Sequence, residues 1–317
     1  VPGPSVFFGT PEFAVPSLDA LLEAGEEPAL VVSQPARPAG RHRRLEQPPV
    51  AVRALELGLE LDQPERVDSV RFLARLRALE PEVCVVVAFG QILPEAVLTL
   101  PRLGCVNLHA SLLPRHRGAA PIQAAIAAGD DTTGVTTMLI EPALDSGPIL
   151  LRRELPIGAR ETAGELSRRL ARLGAELLVE TIGALRAGTV TPRRQADDRA
   201  TYARRLRRDD GRIDWAQPAV VLERRVRAYD PWPGTFTTLD GEVVKVLEAG
   251  IGRREAPAAA AGEIVEIGPE AILVACGDGA CLALHRVQRP GRRPVSAREL
   301  ANGMRLAVGE RLGAQPA

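Results

Sequence analysis

Asn107 and His109 stand two residues apart in the run Cys105-Val106-Asn107-Leu108-His109-Ala110-Ser111-Leu112-Leu113-Pro114. On a strand that spacing points both side chains to one face. The run stops abruptly at Ser111 to Pro114, which puts the pair at the C-terminal edge of a sheet, where open α/β sheets bind ligands. An amide donor beside a titratable ring suits a reaction that builds an oxyanion and moves protons near neutral pH. A satisfied core histidine is the plainer alternative. Asp145, in Leu144-Asp145-Ser146-Gly147, is either a turn former or the carboxylate that orients the imidazole and favours its charged form.

The elements that would position these groups are legible as patterns. Ser5 to Phe8, Ala29 to Ser33, Val83 to Ala88 and Gly104 to His109 read as strands, and the continuous apolar run before Ala88 suits a parallel strand buried on both faces. Thr10 is a candidate N-cap with Pro11 at the first helical position, followed by helical spacing from Phe13 to Leu22. Ala51 to Leu57 and Ser69 to Leu79 also read as helices. Gly134 to Ile140 and Ile149 to Leu155 read as a hairpin around Asp145. Leu166, Leu170, Leu173, Leu177 and Leu185 mark one long amphipathic helix closed by Gly188. Pro35 to Pro49 has no periodicity and reads as a Pro/Arg/Gly loop. After Gly188 the pattern changes. A polar stretch up to Ala203 reads as a linker, then come a short helix from Pro218 to Ala228 and several short strands between Thr235 and Gln288. The expected architecture is an α/β, Rossmann-like, mostly parallel sheet domain over residues 1–188. A linker over 189–208 and an OB-like β-barrel over 209–317 follow.

Composition narrows the function. A chain of 317 residues with 45 % hydrophobic content is globular, and no apolar run approaches the ~18 residues a membrane span needs. The start of the sequence reads straight into a strand, without a signal-peptide core. Four cysteines without a CxxC pair fit a reducing cytoplasm, and Cys276 and Cys281 lack the partners of a zinc site, which needs about four ligands. No metal is expected. Forty Lys and Arg balance forty Asp and Glu, which argues against wholesale nucleic-acid binding. The basic residues are nevertheless clustered, and Lys245 is the sole lysine. One cluster is Arg37 with Arg41, His42, Arg43 and Arg44; another is Arg204, Arg205, Arg207 and Arg208. Each is either a solvated face or loop, or a track for phosphates. No heptad or large apolar stripe is left over, so a monomer is expected.

The Asn-x-His-x-Ser-Leu-Leu-Pro run with the later Leu-Asp-Ser-Gly resembles the signature of the folate-dependent formyltransferases. Gly9-Thr10-Pro11-Glu12-Phe13-Ala14, Gln34-Pro35 with Arg37-Pro38-Ala39-Gly40-Arg41, Val87 to Pro94, Arg115 to Gln123 and Asp230-Pro231-Trp232-Pro233-Gly234 carry the likeness in order along nearly the whole chain. Within the family the chain is most similar to the branch acting on initiator methionyl-tRNA. The resemblance implies transfer of a formyl group from 10-formyltetrahydrofolate to an amine, with Asn107, His109 and Asp145 as the catalytic trio. It implies a folate slot from Phe89, Gly90, Gln91, Ile92 and Leu93, walled by Ser111, Leu112, Leu113 and Pro114. Ser111 reads as a loop-shaping hydroxyl rather than a nucleophile. For tRNA, the resemblance points to Arg37, Arg41, His42, Arg43, Arg44, Arg204 and Arg205. Two departures stand out: Ala110 where the family usually has glycine, and Arg41-His42-Arg43-Arg44-Leu45 where it often has Arg-Gly-Lys-Lys-Leu. The rivals are a formyltransferase for an amino sugar nucleotide and a non-catalytic RNA-binding protein.

Overall fold

The computed structural model describes residues 3–39, 44–252 and 259–313. The chain forms two compact units. The first takes the residues up to Pro121, Thr132–Pro156 and Ser167–Ala203; the second takes Ile122–Asp131, Ile157–Leu166 and the residues from Arg204 onward.

The first unit is built on strands β1 (Ser5–Gly9), β2 (Leu30–Val32), β3 (Leu61–Asp62), β4 (Val83–Val87), β5 (Cys105–His109), β6 (Thr132–Leu139) and β7 (Ile149–Pro156). They form one seven-stranded sheet in the order β7-β6-β5-β4-β1-β2-β3. Strands β1 to β5 are parallel, and β6 and β7 are antiparallel additions at one edge. Chain order reverses between β1 and β4, the switch point beside which α/β sheets open a ligand crevice. Every residue of β1 and β4 is buried, as the apolar runs required. Helices α1 (Val15–Glu23), α2 (Pro49–Glu56) and α3 (Val70–Leu79) connect the parallel strands. Phe72 and Leu76 of α3 join Val6, Phe8, Val86 and Phe89 in one core cluster. A short helix, α4 (Pro121–Ala128), falls almost wholly in the second unit, and the long helix α5 (Ala163–Ala187) belongs to the first from Ser167 onward. Gly174 of α5 lets the helix approach β5, since a Cβ there would lie 2.7 Å from the Leu108 side chain.

Three local expectations are corrected. Thr10 does not cap the first helix; its hydroxyl donates to the Phe89 carbonyl at 2.7 Å, and Pro11 leads into a 3-10 turn without a side-chain cap. The segment read as an unstructured loop from Pro35 contains an exposed two-stranded hairpin, Arg37–Ala39 against Arg44–Glu46. The stretch 189–203, expected as a linker without elements, is tied to the first unit. Arg193 and Ile149 exchange backbone hydrogen bonds, and Tyr202–Ala203 pairs in parallel with Arg117–Gly118.

The second unit carries an antiparallel β domain. Strands β8 (Thr235–Leu239), β9 (Glu242–Ile251), β10 (Ile264–Ile267), β11 (Ile272–Ala275) and β12 (Cys281–Gln288) lie in the order β8-β9-β12-β11-β10. Asp240 and Gly241, both at positive φ, make the two-residue turn between β8 and β9, as an Asp-Gly pair favours. Bulges in β9 and β10 bend the strands. Helix α6 (Ala219–Ala228) and helix α7 (Ala297–Met304) add Leu222, Val226, Leu300 and Ala301 to the core beneath this sheet.

Candidate active site

Cys105, Asn107 and His109 alternate to one face of β5, and Asn107 pairs in register with Val86 of β4 and Met138 of β6. A cleft of about 270 Å³ opens at this edge. Asn107 and Asp145 line it together with Ala88, Phe89, Gly90, Ile92, Ile140 and Leu144. No other described residue hydrogen-bonds the Asn107 carboxamide, so its N–H groups are available to a ligand.

His109 is 6 % exposed, behind Asn107 on the same strand. Its Nε2 lies 3.0 Å from the His116 carbonyl oxygen, which can only accept, so Nε2 carries the hydrogen. The remaining nitrogen, Nδ1, faces Asp145 Oδ2 at 3.8 Å. That is too long for a direct hydrogen bond but close enough for strong attraction once Nδ1 is protonated. Burial pushes the His109 pKa below its ordinary value, while the Asp145 charge opposes the shift. The resting ring is therefore neutral near pH 7, with a bare Nδ1. Asp145 sits at φ 45 in the turn between β6 and β7, and its carboxylate accepts the Gly118 N–H at 2.7 Å. The strand positions of Asn107 and His109 and the turn position of Asp145 are thus neighbours in the structure.

The predicted folate residues divide into two groups. Phe89, Gly90, Gln91, Ile92 and Leu93 all border the cleft. The backbone turns sharply there, with Ala88 at φ 46 and Gly90 at φ 89, and Ile92 is left 91 % exposed. Phe89 itself packs edge-on against Phe8 at 5.3 Å, so it presents mainly backbone. Gln91 is engaged internally: it accepts from the Val67 N–H and donates to the Pro64 carbonyl, both at 3.2 Å.

Ser111, Leu112, Leu113 and Pro114 form the second group: none of them borders this cleft, and Ser111 shapes its own turn as expected. Ser111 is fully buried and donates its hydroxyl to the Arg115 carbonyl at 2.6 Å. Leu113 is 0 % exposed in a cluster with Met138 and Ile149. Leu112 lies against Gly134, where a Cβ would meet its methyl at 2.6 Å. Pro114 borders a different cavity, with Arg152, Arg193 and Arg194. The physical reason is Thr136, opposite His109 on β6. Its hydroxyl donates to the Ser111 carbonyl at 2.6 Å and accepts the Leu113 N–H at 3.2 Å, pulling the turn inward. Ala110 is buried without positive φ, so the methyl that replaces the family's glycine meets no backbone strain.

Sequence reasoning missed Thr136, Arg117 and Gln195. Arg117 is buried and donates to Gln195 Oε1 through Nε and Nη2, at 3.0 and 2.8 Å. A buried arginine in a short Arg-Gly strand gives no periodic signal, and a glutamine in a polar stretch gives none either.

Of the basic residues, Arg37 and Arg44 lie exposed on the hairpin, while Arg41, His42 and Arg43 fall outside the described residues. Arg204 forms a two-pronged ion pair with Asp210, whose pKa this pair lowers to about 2. Arg205 is exposed nearby.

Comparison with known proteins shows the family. A formyl transferase family model matches residues 5–182, and a formyl transferase C-terminal domain model matches 205–305. The methionyl-tRNA formyltransferase of Stutzerimonas stutzeri is 49 % identical over 301 residues, covering 95 % of this chain and 94 % of the relative. That of Methylococcus capsulatus is 50 % identical over 308 residues, covering 97 % and 99 %. Among solved structures, WlaRD, a sugar 3N-formyl transferase solved in the presence of dTDP and 5-N-formyl-THF, superposes with a TM-score of 0.66 at 16 % identity. It covers 92 % of this chain and 99 % of its own, and shares the fold. The chain belongs to the formyltransferase family, in the branch of the methionyl-tRNA formyltransferases.

Proposed function

We propose that this protein transfers the formyl group of 10-formyltetrahydrofolate to the α-amine of initiator methionyl-tRNA in the cytoplasm, with the first unit carrying the chemistry. The observation that carries this reading is the Asn107 carboxamide, unpartnered among the described residues, in one cleft with Asp145 and with exposed apolar Ile92 and Leu144. Apolar walls with a few convergent polar groups are what a flat heterocycle needs. The volume is near the lower end of small-molecule pockets, about 300 Å³, and suits the folate ring system rather than the whole molecule. Bound there, the folate supplies an activated formyl carbon.

The residues then divide the work. Asn107 donates to the formyl oxygen as negative charge develops on it. His109, neutral at rest, takes up the proton released by the amine at Nδ1, directly or through a water. Asp145 stabilises the imidazolium so formed, and the proton passes to the folate nitrogen as its bond to carbon breaks. One C–N bond forms and one breaks, and no covalent enzyme intermediate is required. The hydroxyl of Ser111 is committed to Arg115, which removes the nearest alternative nucleophile.

For the acceptor, the exposed Arg37 and Arg44 of the hairpin, with Arg41, His42 and Arg43 from the sequence, and Arg204 and Arg205 would meet tRNA phosphates. The methionyl-tRNA reading is favoured over an amino sugar because relatives near 50 % identity over the whole chain act on methionyl-tRNA. A transfer assay with 10-formyltetrahydrofolate decides it. Charged initiator tRNA should be formylated and an amino sugar nucleotide left untouched; the reverse preference would overturn the assignment.

A further inference from the structure

We propose that Gln195 and Thr201 are positioning residues for the transfer: they lock the His116-Arg117-Gly118 segment that holds both His109 and Asp145. This rests on the roles given above to His109 and Asp145. The His116 carbonyl receives His109 Nε2 at 3.0 Å, and two residues later the Gly118 N–H reaches Asp145 Oδ2 at 2.7 Å. Three consecutive residues therefore set the ring and the carboxylate relative to each other.

That segment has little structure of its own. Among the described residues, Arg117–Gly118 pairs in a ladder with Tyr202–Ala203 alone, and His116 and Gly118 have φ of 57 and 115. Thr201 supplies the register. Its hydroxyl accepts the His116 N–H and its carbonyl accepts the Arg117 N–H, both at 2.8 Å. A Cβ on Gly118 would lie 2.5 Å from the Ala203 oxygen, so the approach admits only glycine.

Gln195 closes the arrangement into a ring. Its Oε1 receives the buried Arg117 guanidinium, and its Nε2 donates to the carbonyls of Asp145 and Gly147 at 2.9 and 2.8 Å. The connections run from the Asp145 carboxylate to Gly118, along the chain to Arg117, through its side chain to Gln195 and back to the Asp145 main chain. A non-glycine residue at positive φ keeps that conformation only where its surroundings impose it. The 3.8 Å gap between His109 and Asp145 leaves little tolerance, because misplacement by about 1 Å can cost about 10²-fold. Neither Gln195 nor Thr201 lines the cleft, so their action is indirect.

The test uses the full chain with Gln195→Ala, Gln195→Glu and Thr201→Val. Gln195→Glu keeps an acceptor for Arg117 but loses the donor to both carbonyls. Each variant should lower kcat roughly 10- to 100-fold, with KM for 10-formyltetrahydrofolate and for methionyl-tRNA within about twofold of the parent. In an Asp145→Asn background, Gln195→Glu should cause no further loss, because both changes act on one group. If Asp145→Asn is inactive while all three variants keep parental kcat, or if their losses multiply with that of Asp145→Asn, the positioning role is refuted. Should Gln195→Ala fail to fold, Gln195→Glu and Thr201→Val carry the same test. If Asp145→Asn itself turns over normally, it is the proposed chemistry that fails.

Discussion

The turns leaving β4 and β5 are neighbours in one sheet and alike in apolar character, yet they have opposite fates. The first, Ala88 to Leu93, keeps Phe89 and Leu93 in the core but, with left-handed backbone at Ala88 and Gly90, leaves Ile92 almost fully exposed. The second, Ser111 to Pro114, is drawn inward by the Thr136 hydroxyl until Ser111 and Leu113 have no exposed surface. In the proposed reaction one turn serves as a binding wall; the other is scaffold for the strand end that carries Asn107 and His109. Proximity to catalytic groups in sequence does not separate the two. The direction of the backbone and the hydrogen-bond partner across the sheet do.

Substitutions can break or sharpen this contrast. The largest effect belongs to the chemistry both turns frame. Asp145→Asn should lower kcat about 10²- to 10⁴-fold, the usual range for a group engaged in proton transfer. It should also move the acid limb of the kcat profile to lower pH. Burial lowers the His109 pKa and the Asp145 charge opposes that, so removing the charge lowers it further; His116 is the other titratable group acting on the ring. A pH–rate series on both proteins checks the direction. The same shift has a stability consequence. As pH falls below about 6.5 the unfolded chain takes up this proton before the folded one does, so His109 subtracts from stability on the acid side. Denaturant midpoints at pH 7 and pH 5.5 should differ less in His109→Gln.

Next in size is the scaffold turn. Leu113→Ala should cost about 2–5 kcal/mol of folding stability, as for other buried leucines, with KM for folate unchanged in the folded fraction. Ile92→Ala should do the opposite. Its stability should stay within about 0.5 kcal/mol of the parent, while KM for 10-formyltetrahydrofolate rises about tenfold, equivalent to ~1.4 kcal/mol of lost apolar contact. If Ile92→Ala destabilises and Leu113→Ala weakens folate binding, the roles given to the turns are interchanged. The smallest effect is expected from Arg44→Ala, which should reduce the salt dependence of methionyl-tRNA binding by about one phosphate contact.

The sheet was legible because buried parallel strands need largely apolar runs, which Ser5 to Phe8 and Val83 to Ala88 provide, and Gly104 to His109 is interrupted only by its two polar groups, Asn107 and His109. The pair on β5 was legible because a period of two is enough to align Asn107 with His109. Asp145 needed the family likeness, since an Asp in a Gly-bearing turn is usually only a turn former. The inward pull of Thr136 could not be read, because one of four threonines in β6 looks like any β-branched strand residue. Gln195 and Thr201 were hidden for a related reason. Their segment lacks periodicity, and its order comes from partners far away in sequence, Arg117 and Asp145.

The central claim is that the free Asn107 amide meets the oxyanion of formyl transfer. Single-turnover transfer from saturating 10-formyltetrahydrofolate to methionyl-tRNA by Asn107→Ala addresses it most directly. The rate should fall about 10²- to 10³-fold with an unchanged Tm. A rate within about twofold of the parent would mean that the carboxamide has no part in the reaction.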